Sequence, residues 1–371
     1  MKFLLPIFLL LLFSSCKNTL QNNQKDILGD WIRIRNSDVE KTGMSSLIAP
    51  PNKTGFSFYA DQTFDNKGGF IKHNENTQTY LDTRSRYKLK IDSLILFDPV
   101  KGQWEHYHLI KLSADLLQFD SSEGLYTFRR FNPHNFAENK FDKIILSTSG
   151  CLGTCPVMDI TLNSDRTILF SGKMFTGEMK GQFTGTVPQD KYEQIQKSFR
   201  IINFEKIKQD GIFPADIETV TTTYVKNGRI YKTIQSGSDI DLLPLNWACN
   251  SLRYIYQTIP LKKAAETNIK ATTYIIASAS FTKNDSLIYL KNSEVAYLSE
   301  LLDKGKKVNT SLFKSRFKLY LYSFGQPRDS VDTDGRYFKF IKKGKPFIID
   351  LGFNFYDVNT QNWHWKKATD N

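Results

Sequence analysis

Residues 149–156 read Ser-Gly-Cys-Leu-Gly-Thr-Cys-Pro, a stretch that gathers two thiols, two glycines and a proline at short spacing. Before it, residues 141–147 form a β-branched, apolar run, and after it residues 157–162 alternate apolar with polar side chains. Both patterns are typical of strands, and glycine with proline between two such runs indicates a tight turn. The sequence therefore predicts two neighbouring strands joined by a cysteine-containing turn.

The two thiols of this turn, Cys151 and Cys155, are predicted to form a disulfide. Gly150 and Gly153 are free to take positive φ, which lets the chain double back and brings the two side chains together. Two alternatives stay open: a redox pair and a pair of metal ligands. A redox pair usually has two intervening residues and a thiol at a helix N-terminus, whereas this spacing is one residue longer and a strand follows.

The first residues resemble the leader of a bacterial lipoprotein. Lys2 precedes an apolar core of about ten residues, too short to span a bilayer, and Ser14 and Ser15 then precede Cys16 as in a lipobox. The resemblance implies that residues 1–15 are a signal peptide and that Cys16 carries diacylglycerol.

Residues 16–25 are predicted to be a lipidated, flexible tether because they are polar and rich in Asn and Gln. Position 17 is Lys and not the Asp that retains lipoproteins in the inner membrane, and the tether lacks the acidic cluster associated with surface export in Bacteroidota lipoproteins. The resemblance thus favours an outer-membrane anchor that faces the periplasm.

Composition indicates a folded, exported chain of two or three domains, with 371 residues of which 40% are hydrophobic. The formal net charge of +12 suggests contact with an anionic glycolipid, but the basic residues are scattered, as on an ordinary solvated surface. We expect no nucleic acid partner outside the cytoplasm. The expected partners are the membrane, reached through the anchor, and an envelope protein, an anionic glycolipid or an apolar small molecule.

Residues 26–135 contain at least six short alternating strands separated by turn signals, which predicts an antiparallel barrel or sandwich. The opening Leu-x-x-Trp at residues 28–31 and the closing Tyr-x-Phe-x-Arg at 126–130 resemble the lipocalin-like domains of Bacteroidota lipoproteins. The resemblance implies a cup for an apolar ligand, although a small barrel is just as readily filled by its own side chains. The candidate cup residues are Trp31, Phe56, Phe58 and Trp104.

His106 and His108 share a strand face at a spacing that suits a metal, but no third ligand is tied to them by sequence. Two exposed polar residues are the favoured interpretation.

Residues 141–260 are predicted to form an α+β domain: strands after the cysteine turn, a helix that starts at Pro188, a hairpin around Asn227-Gly228, and a second helix. The block Gly-Cys-x-Gly-x-Cys-Pro resembles an uncharacterised domain family of bacterial envelope proteins. That resemblance implies an envelope location and an α+β fold, and it identifies no catalytic residue. Cys249 lies on the second helix and is predicted to be a buried, reduced thiol.

Residues 269–371 are predicted to form a second α+β domain with an antiparallel sheet. The expected elements include a strand over residues 272–281 and a helix capped by Ser293. Residues 330–335 alternate oxygen-bearing side chains before a glycine, as in a calcium loop, but the twelfth place is Ile341 and not Glu, so an Asp-Gly turn is favoured.

The overall prediction is a β-rich α+β protein with no assigned catalytic, cofactor-binding or metal-binding residue. The sequence contains no nucleophile elbow, phosphate-binding glycine loop or His-Glu-x-x-His motif. A non-catalytic binding or scaffold role in the envelope is the favoured hypothesis. The alternatives are a thiol-redox or metal-binding protein that uses Cys151 and Cys155, and a carrier of an apolar molecule in the first barrel.

Overall fold

The computed structural model describes residues 24–34, 54–75, 77–122, 124–136, 138–207, 218–236, 242–264, 278–309, 313–323, 326–342 and 344–367. The contacts group into two compact units. The first takes its residues from Met1–His73, Thr79–Asn135 and Ser238–Asn250, and the second from Asn74–Gln78, Phe136–Gly237 and Ser251–Asn371.

A closed antiparallel barrel forms the first unit, which confirms the predicted β architecture. The described strands between residues 24 and 136 are β1 (Gly29–Arg33), β2 (Gly55–Phe58), β3 (Thr63–Asn66), β4 (Ile71–His73), β5 (Gln78–Tyr80), β6 (Arg84–Leu89), β7 (Ser93–Asp98), β8 (Gln103–Leu112), β9 (Leu116–Ser121) and β10 (Gly124–Arg130). The barrel order is β1-β10-β9-β8-β7-β6-β3-β2, and β4 and β5 make a separate two-stranded ribbon. Because β1 pairs with both β10 and β2, the sheet has no free edge.

Aromatic rings fill the barrel. Trp31, Phe56, Phe64, Phe119 and Phe128 are each at most 2% exposed. The four phenylalanine rings contact one another, with the centroids of Phe56 and Phe128 5.3 Å apart. This packing follows from strand periodicity, since alternate residues point into the barrel.

The first and last segments of the barrel domain contact each other around Trp31. Trp31 Nε1 donates a 2.7 Å hydrogen bond to the Ile27 carbonyl oxygen, and the Arg130 guanidinium lies 3.9 Å from the centre of the indole ring. Arg130 also donates to the carbonyl oxygens of Asp26 and Leu28. The opening and closing motifs of the domain therefore stabilise the same corner of the fold.

A seven-stranded antiparallel sheet, here called sheet 1, begins the second unit. Its order is β16-β15-β11-β12-β13-β14-β17. The elements of this region are β11 (Lys143–Thr148), β12 (Val157–Asn163), β13 (Thr167–Met174), β14 (Gly181–Thr186), α1 (Gln189–Arg200), β15 (Val220–Lys226), β16 (Arg229–Ser236), α2 (Leu243–Arg253) and β17 (Lys262–Lys263), with short 3-10 turns at Phe204–Lys206 and Ile255–Gln257.

Local sequence explains these elements. Helix α1 follows Pro188, has Asp190 in its first turn and buries Ile195 and Phe199. In the β15–β16 hairpin Asn227 and Gly228 have φ of 53° and 69°, the left-handed pair that a tight hairpin turn requires.

Helix α2 contributes its first residues to the first unit. Leu243 and Trp247 pack with Ile32 and Phe131, and Trp247 Nε1 donates a 3.0 Å hydrogen bond to the Thr54 hydroxyl. Cys249 is 3% exposed and forms no disulfide, in agreement with the prediction of a buried thiol.

An eight-stranded antiparallel sheet, sheet 2, completes the second unit in the order β20-β24-β23-β22-β21-β18-β19-β25. Its elements are β18 (Ser278–Lys283), β19 (Ser286–Leu290), α3 (Asn292–Lys304), β20 (Lys306–Val308), β21 (Phe317–Ser323), β22 (Gln326–Thr333), β23 (Tyr337–Lys342), β24 (Lys345–Asp350), α4 (Phe355–Asn359) and β25 (Lys366–Lys367), with a 3-10 turn at Thr360–Asn362. The first part of the strand predicted over residues 272–281 lies outside the described residues.

Residues 330–333 belong to strand β22, and the turn itself lies at Asp334 and Gly335. The Asp334 Oδ1 atom accepts hydrogen bonds of 2.9 and 2.8 Å from the backbone N–H groups of Arg336 and Tyr337. This is the Asp-Gly turn favoured by the sequence over a calcium loop.

Helix α3 connects sheets 1 and 2 into one unit. Ile145, Val225 and Ile230 of sheet 1 share one hydrophobic core with Leu298 of α3 and Phe281 of sheet 2. At the start of the helix the Lys291 N–H donates a 2.8 Å hydrogen bond to the Glu294 carboxylate, which satisfies one backbone donor as the acidic half of a capping box does.

Ser293 is not the helix cap that the sequence predicted. Its hydroxyl is 2.8 Å from the Thr223 hydroxyl, and its N–H donates 3.1 Å to the Thr221 hydroxyl, both on sheet 1. Lys291 occupies the cap position, because the helix begins one residue before Ser293. Ser293 instead hydrogen-bonds α3 to sheet 1. Burial raises the pKa of the neighbouring Glu294 carboxyl group.

Candidate functional site

The cysteine turn is a loop between β11 and β12 that a disulfide closes. Cys151 and Cys155 are joined by a disulfide with their Cα atoms 5.7 Å apart, in agreement with the prediction. Gly153 has φ of 156°, whereas Gly150 does not use the positive-φ region that the sequence allowed it. Leu152, at the tip, is 85% exposed.

Hydrogen bonds hold both flanks of the turn. The Thr148 hydroxyl accepts from the Met158 N–H at 3.1 Å, and the Ser149 hydroxyl accepts from the Thr219 N–H at 2.9 Å. A strand and not a helix N-terminus follows the turn, so the turn lacks the helix dipole that lowers the pKa of a redox-active thiol. Both sulfurs belong to the disulfide, and a metal site would require them as thiolates.

The barrel interior is nearly full. The cavity recorded among Phe56, Phe64, Phe119 and their neighbours measures about 20 Å³, enough for one water molecule. A ligand the size of a lipid or a ring compound therefore finds no room among these side chains, and the observation does not favour the carrier hypothesis for the barrel.

Trp104 does not line the barrel, which corrects the sequence interpretation. Successive side chains of a strand point to opposite faces, and Trp104 lies an odd number of residues from Tyr107 and Leu109, which point into the barrel. The Trp104 side chain therefore points outward. Its ring stacks edge-on against Phe97, and Lys88 Nζ lies 4.3 Å from the ring centre.

His106 and His108 are both exposed. Among the described residues, no group of three or more His, Cys, Asp or Glu side chains is placed to hold a metal ion.

A larger cavity lies in the second unit, between sheet 1 and helix α3. It measures about 220 Å³ and is bordered by strands β12, β13 and β14 on one side and by α3 on the other. Leu169 and Phe183 supply apolar surface from the sheet, and Ala296 supplies it from the helix. We call this space the α3 cavity.

Two acidic side chains at the wall of the α3 cavity carry incompletely bonded carboxylates. Glu300 Oε1 binds Lys143 Nζ and Lys304 Nζ at 2.6 Å each, and Asp159 Oδ2 binds Lys173 Nζ at 2.7 Å. The other oxygens, Glu300 Oε2 and Asp159 Oδ1, are buried and accept no hydrogen bond from the described residues. A buried acceptor without a donor costs about 1–3 kcal/mol, so each of these two oxygens lowers the stability of the packing between α3 and sheet 1.

The sequence did not single out these two acids. Asp159 is an alternate residue of a predicted strand, and Glu300 is a polar residue on a predicted helix, which is the normal pattern of a solvated face. Only the packing of α3 on the sheet brings them to one cavity. The cysteines lie in the loop before β12 and do not line the α3 cavity.

Cys16, predicted to carry the lipid, lies outside the described residues. The described part of the chain contains no helix that is both long and apolar enough to cross a membrane.

Comparison with known proteins shows that one part of the chain is similar to a described domain family. Residues 142–256 match a domain of unknown function, DUF6438, which covers the cysteine turn, sheet 1 up to β16 and helices α1 and α2. The searches of curated proteins and of solved structures found no match.

Proposed function

We propose that this protein is a lipid-anchored envelope protein that binds a small molecule without chemical conversion, and that the α3 cavity is its binding site. The anchor is Cys16, in the outer membrane, and the folded part faces the periplasm. The observation that carries the binding role is the α3 cavity itself, with its apolar walls and the acidic side chains of Asp159 and Glu300 in its lining.

The disulfide supports the extracytoplasmic location. Disulfides form and persist in oxidising compartments such as the periplasm and are rare in the cytosol. The bond between Cys151 and Cys155 agrees with export by the signal-like residues that precede Cys16.

The contrast between the α3 cavity and the cavity inside the barrel supports the choice between these two as the binding site. A pocket that serves a ligand is concave, mostly apolar and furnished with a few convergent polar groups. The α3 cavity has this character at about 220 Å³, whereas the barrel cavity measures about 20 Å³.

Anchoring is tested by cell fractionation of the Cys16→Ser variant. We expect the variant to appear in the soluble periplasmic fraction and the wild type in the outer membrane. A variant that stays in the membrane fraction contradicts the anchor, and Cys249→Ser serves as the matched control that removes a thiol without removing the lipid.

Binding is tested with the full chain carrying Cys16→Ser and a fragment collection of mixed charge, screened by thermal shift. Ala296→Phe fills the α3 cavity from the helix side, and Ala114→Phe, at an exposed position of the barrel unit, makes the same change elsewhere. We expect some fragments to stabilise the wild type and Ala114→Phe but not Ala296→Phe. An identical set of stabilising fragments for all three proteins refutes the site.

A further inference from the structure

One end of the barrel carries exposed apolar and basic side chains at the place where the chain enters the fold. We propose that this end, here called the tether rim, docks on the surface of an anionic lipid membrane. The tether rim consists of the exposed side chains of Lys88, Lys90, Ile91, Ile110 and Lys111. This inference concerns a surface other than the α3 cavity, and it rests on the proposed function only in that the lipid anchor brings the rim to a membrane.

Hydrogen bonds show that β8 ends beside the first residues of the domain. The Arg130 guanidinium donates to the carbonyl oxygens of Asp26 and Leu28, which directly follow the tether. The Arg130 Nε atom also donates a 2.7 Å hydrogen bond to the carbonyl oxygen of Ala114, in the turn between β8 and β9. The last residues of β8 and the end of the tether therefore lie at the same end of the barrel.

Two exposed isoleucines lie close together at this end. Ile91 is 71% exposed in the turn between β6 and β7, and Ile110 is 51% exposed near the end of β8. The Leu109 N–H donates 2.8 Å to the Asp92 carbonyl oxygen, so one hydrogen bond joins the neighbours of the two isoleucines. The register of β8 against β9 shifts between Leu109 and Lys111, and such a bulge lets Ile110 and Lys111 both face solvent in succession.

The lysines of the rim supply positive charge. Lys88 and Lys90 point away from the barrel core, because Tyr87 and Leu89, which alternate with them, pack into that core. Neither of these lysines, nor Lys111, forms an ion pair with another described residue, whereas other barrel cations do. Their charges are therefore available to an anionic surface.

The combination of exposed apolar and basic side chains fits the surface of an anionic membrane. Apolar side chains enter the boundary between headgroups and acyl chains, and nearby lysines add attraction to anionic lipids. A lysine also keeps its ammonium group among the headgroups while its methylene stem covers apolar surface. The two kinds of side chain thus strengthen the same contact.

The tether keeps this end of the barrel near the bilayer. Gln24, the first described residue, is eight positions after Cys16. An extended chain spans at most about 3.6 Å per residue, so Gln24 lies within about 29 Å of the anchored residue. Docking of the rim is then intramolecular, which raises its effective concentration at the membrane and holds the barrel in one orientation.

Vesicle flotation of the mature chain, residues 16–371 with Cys16→Ser, measures docking without the lipid. Residues 1–15 are left out because an apolar leader would bind vesicles by itself. The probes are vesicles of phosphatidylcholine alone and vesicles that also contain about 30% phosphatidylglycerol, and we expect at least about fivefold stronger binding to the anionic ones. A patch of this size binds weakly and reversibly, so the unlipidated protein still leaves the membrane fraction of broken cells.

The apolar contribution is tested by Ile91→Ser combined with Ile110→Ser. This variant should bind the anionic vesicles about tenfold or more weakly, because it removes the apolar side chains that enter the bilayer. Ile341→Ser, at a position of sheet 2 that is also 71% exposed, is the matched control and should bind like the wild type. All three isoleucines are exposed, so the variants should keep the wild-type thermal midpoint.

The charge contribution is tested by Lys90→Gln combined with Lys111→Gln, which should weaken binding about tenfold. Lys283→Gln combined with Lys318→Gln, at exposed positions of sheet 2, removes the same charge elsewhere and should leave binding unchanged. Asp92→Asn removes a carboxylate next to Ile91 and should strengthen binding severalfold. Because the lysine and aspartate variants act in opposite directions, general damage to the fold cannot produce both results.

No binding to either kind of vesicle, equal binding to both, or equal losses in the rim variants and their controls overturns the inference. A wild type that is dimeric by light scattering, with a monomeric isoleucine variant and no flotation, assigns the rim to contact between two copies of the chain and overturns it too. None of these outcomes affects the lipid anchor, which is tested by fractionation of the Cys16→Ser variant, or the α3 cavity, which is tested by the fragment screen.

Discussion

Removal of the disulfide should destabilise the second unit by about 2 kcal/mol. Cys151 and Cys155 are four positions apart, so the bond closes a loop of five residues, for which the chain-entropy relation gives about 2 kcal/mol at 25 °C. A loop of 100 residues would give about 4.7 kcal/mol, so this bond is a local reinforcement of the β11–β12 connection. The variant that tests the number carries both Cys151→Ser and Cys155→Ser.

Hydrogen exchange measured by mass spectrometry suits this test because it resolves the two units without assuming that the whole chain unfolds in one step. A loss of about 2 kcal/mol corresponds to about thirtyfold faster exchange of the most protected amides. We expect this acceleration in peptides that contain β11 and β12, where Ile145 and Ile160 are fully buried.

Peptides from the barrel, which contains no part of this loop, provide the internal reference, and wild-type protein treated with a reductant provides the matched control. Reduced wild type and the double variant should exchange alike. If amide exchange in β11 and β12 becomes less than about threefold faster, or becomes faster to the same extent in the barrel, the disulfide does not stabilise the β11–β12 connection locally and the reasoning is refuted.

Three further predictions concern single residues. Gly172→Ala places a Cβ 1.9 Å from a backbone carbonyl oxygen and should lower the free energy of unfolding by about 1–3 kcal/mol in urea titration, whereas Gly150→Ala, whose nearest atom is 3.8 Å away, should change it by less than about 0.5 kcal/mol. Hydrogen bonds from Arg336 hold the pKa of Asp350 below its usual value, so the stabilisation exists above the unfolded-state pKa and is lost as the pH falls through the folded-state pKa. Asp350→Asn should therefore be less stable than the wild type at pH 7 and equally stable at the acid end of a urea series, and a constant difference would contradict this. Cys249, being 3% exposed, should react with a thiol reagent far more slowly in the native protein than in urea, and equal rates would contradict its burial.

Elements that depend on local pattern could be predicted from the sequence. The strand–turn–strand around the cysteines, helix α1 after Pro188 and the hairpin at Asn227-Gly228 all follow from periodicity and turn residues within about fifteen positions. The closed barrel was predicted as a barrel or sandwich, because strand succession does not specify whether β1 meets β10.

Features that depend on tertiary packing could not be predicted. Asp159 and Glu300 reach one cavity only because α3 packs against sheet 1, through a shared core and through Ser293. From local sequence alone, a serine at the start of an apolar helix is a normal cap. Strand β22 was missed for a related reason: its Asp and Pro residues favour turns locally, and pairing with β21 overrides that preference. The outward orientation of the Trp104 side chain likewise depends on the register of β8, which the sequence does not specify.

The core shared by sheets 1 and 2 extends beyond the segment that matches the domain family, so the matched segment and the folding unit have different bounds. The family match ends at residue 256, but Ile145, Val225 and Ile230 within it are covered by side chains from beyond residue 278. If the matched segment were produced alone, these side chains would face solvent. They would form an exposed apolar patch that promotes aggregation. In this chain the matched segment therefore depends on helix α3 and sheet 2 to cover one of its apolar faces.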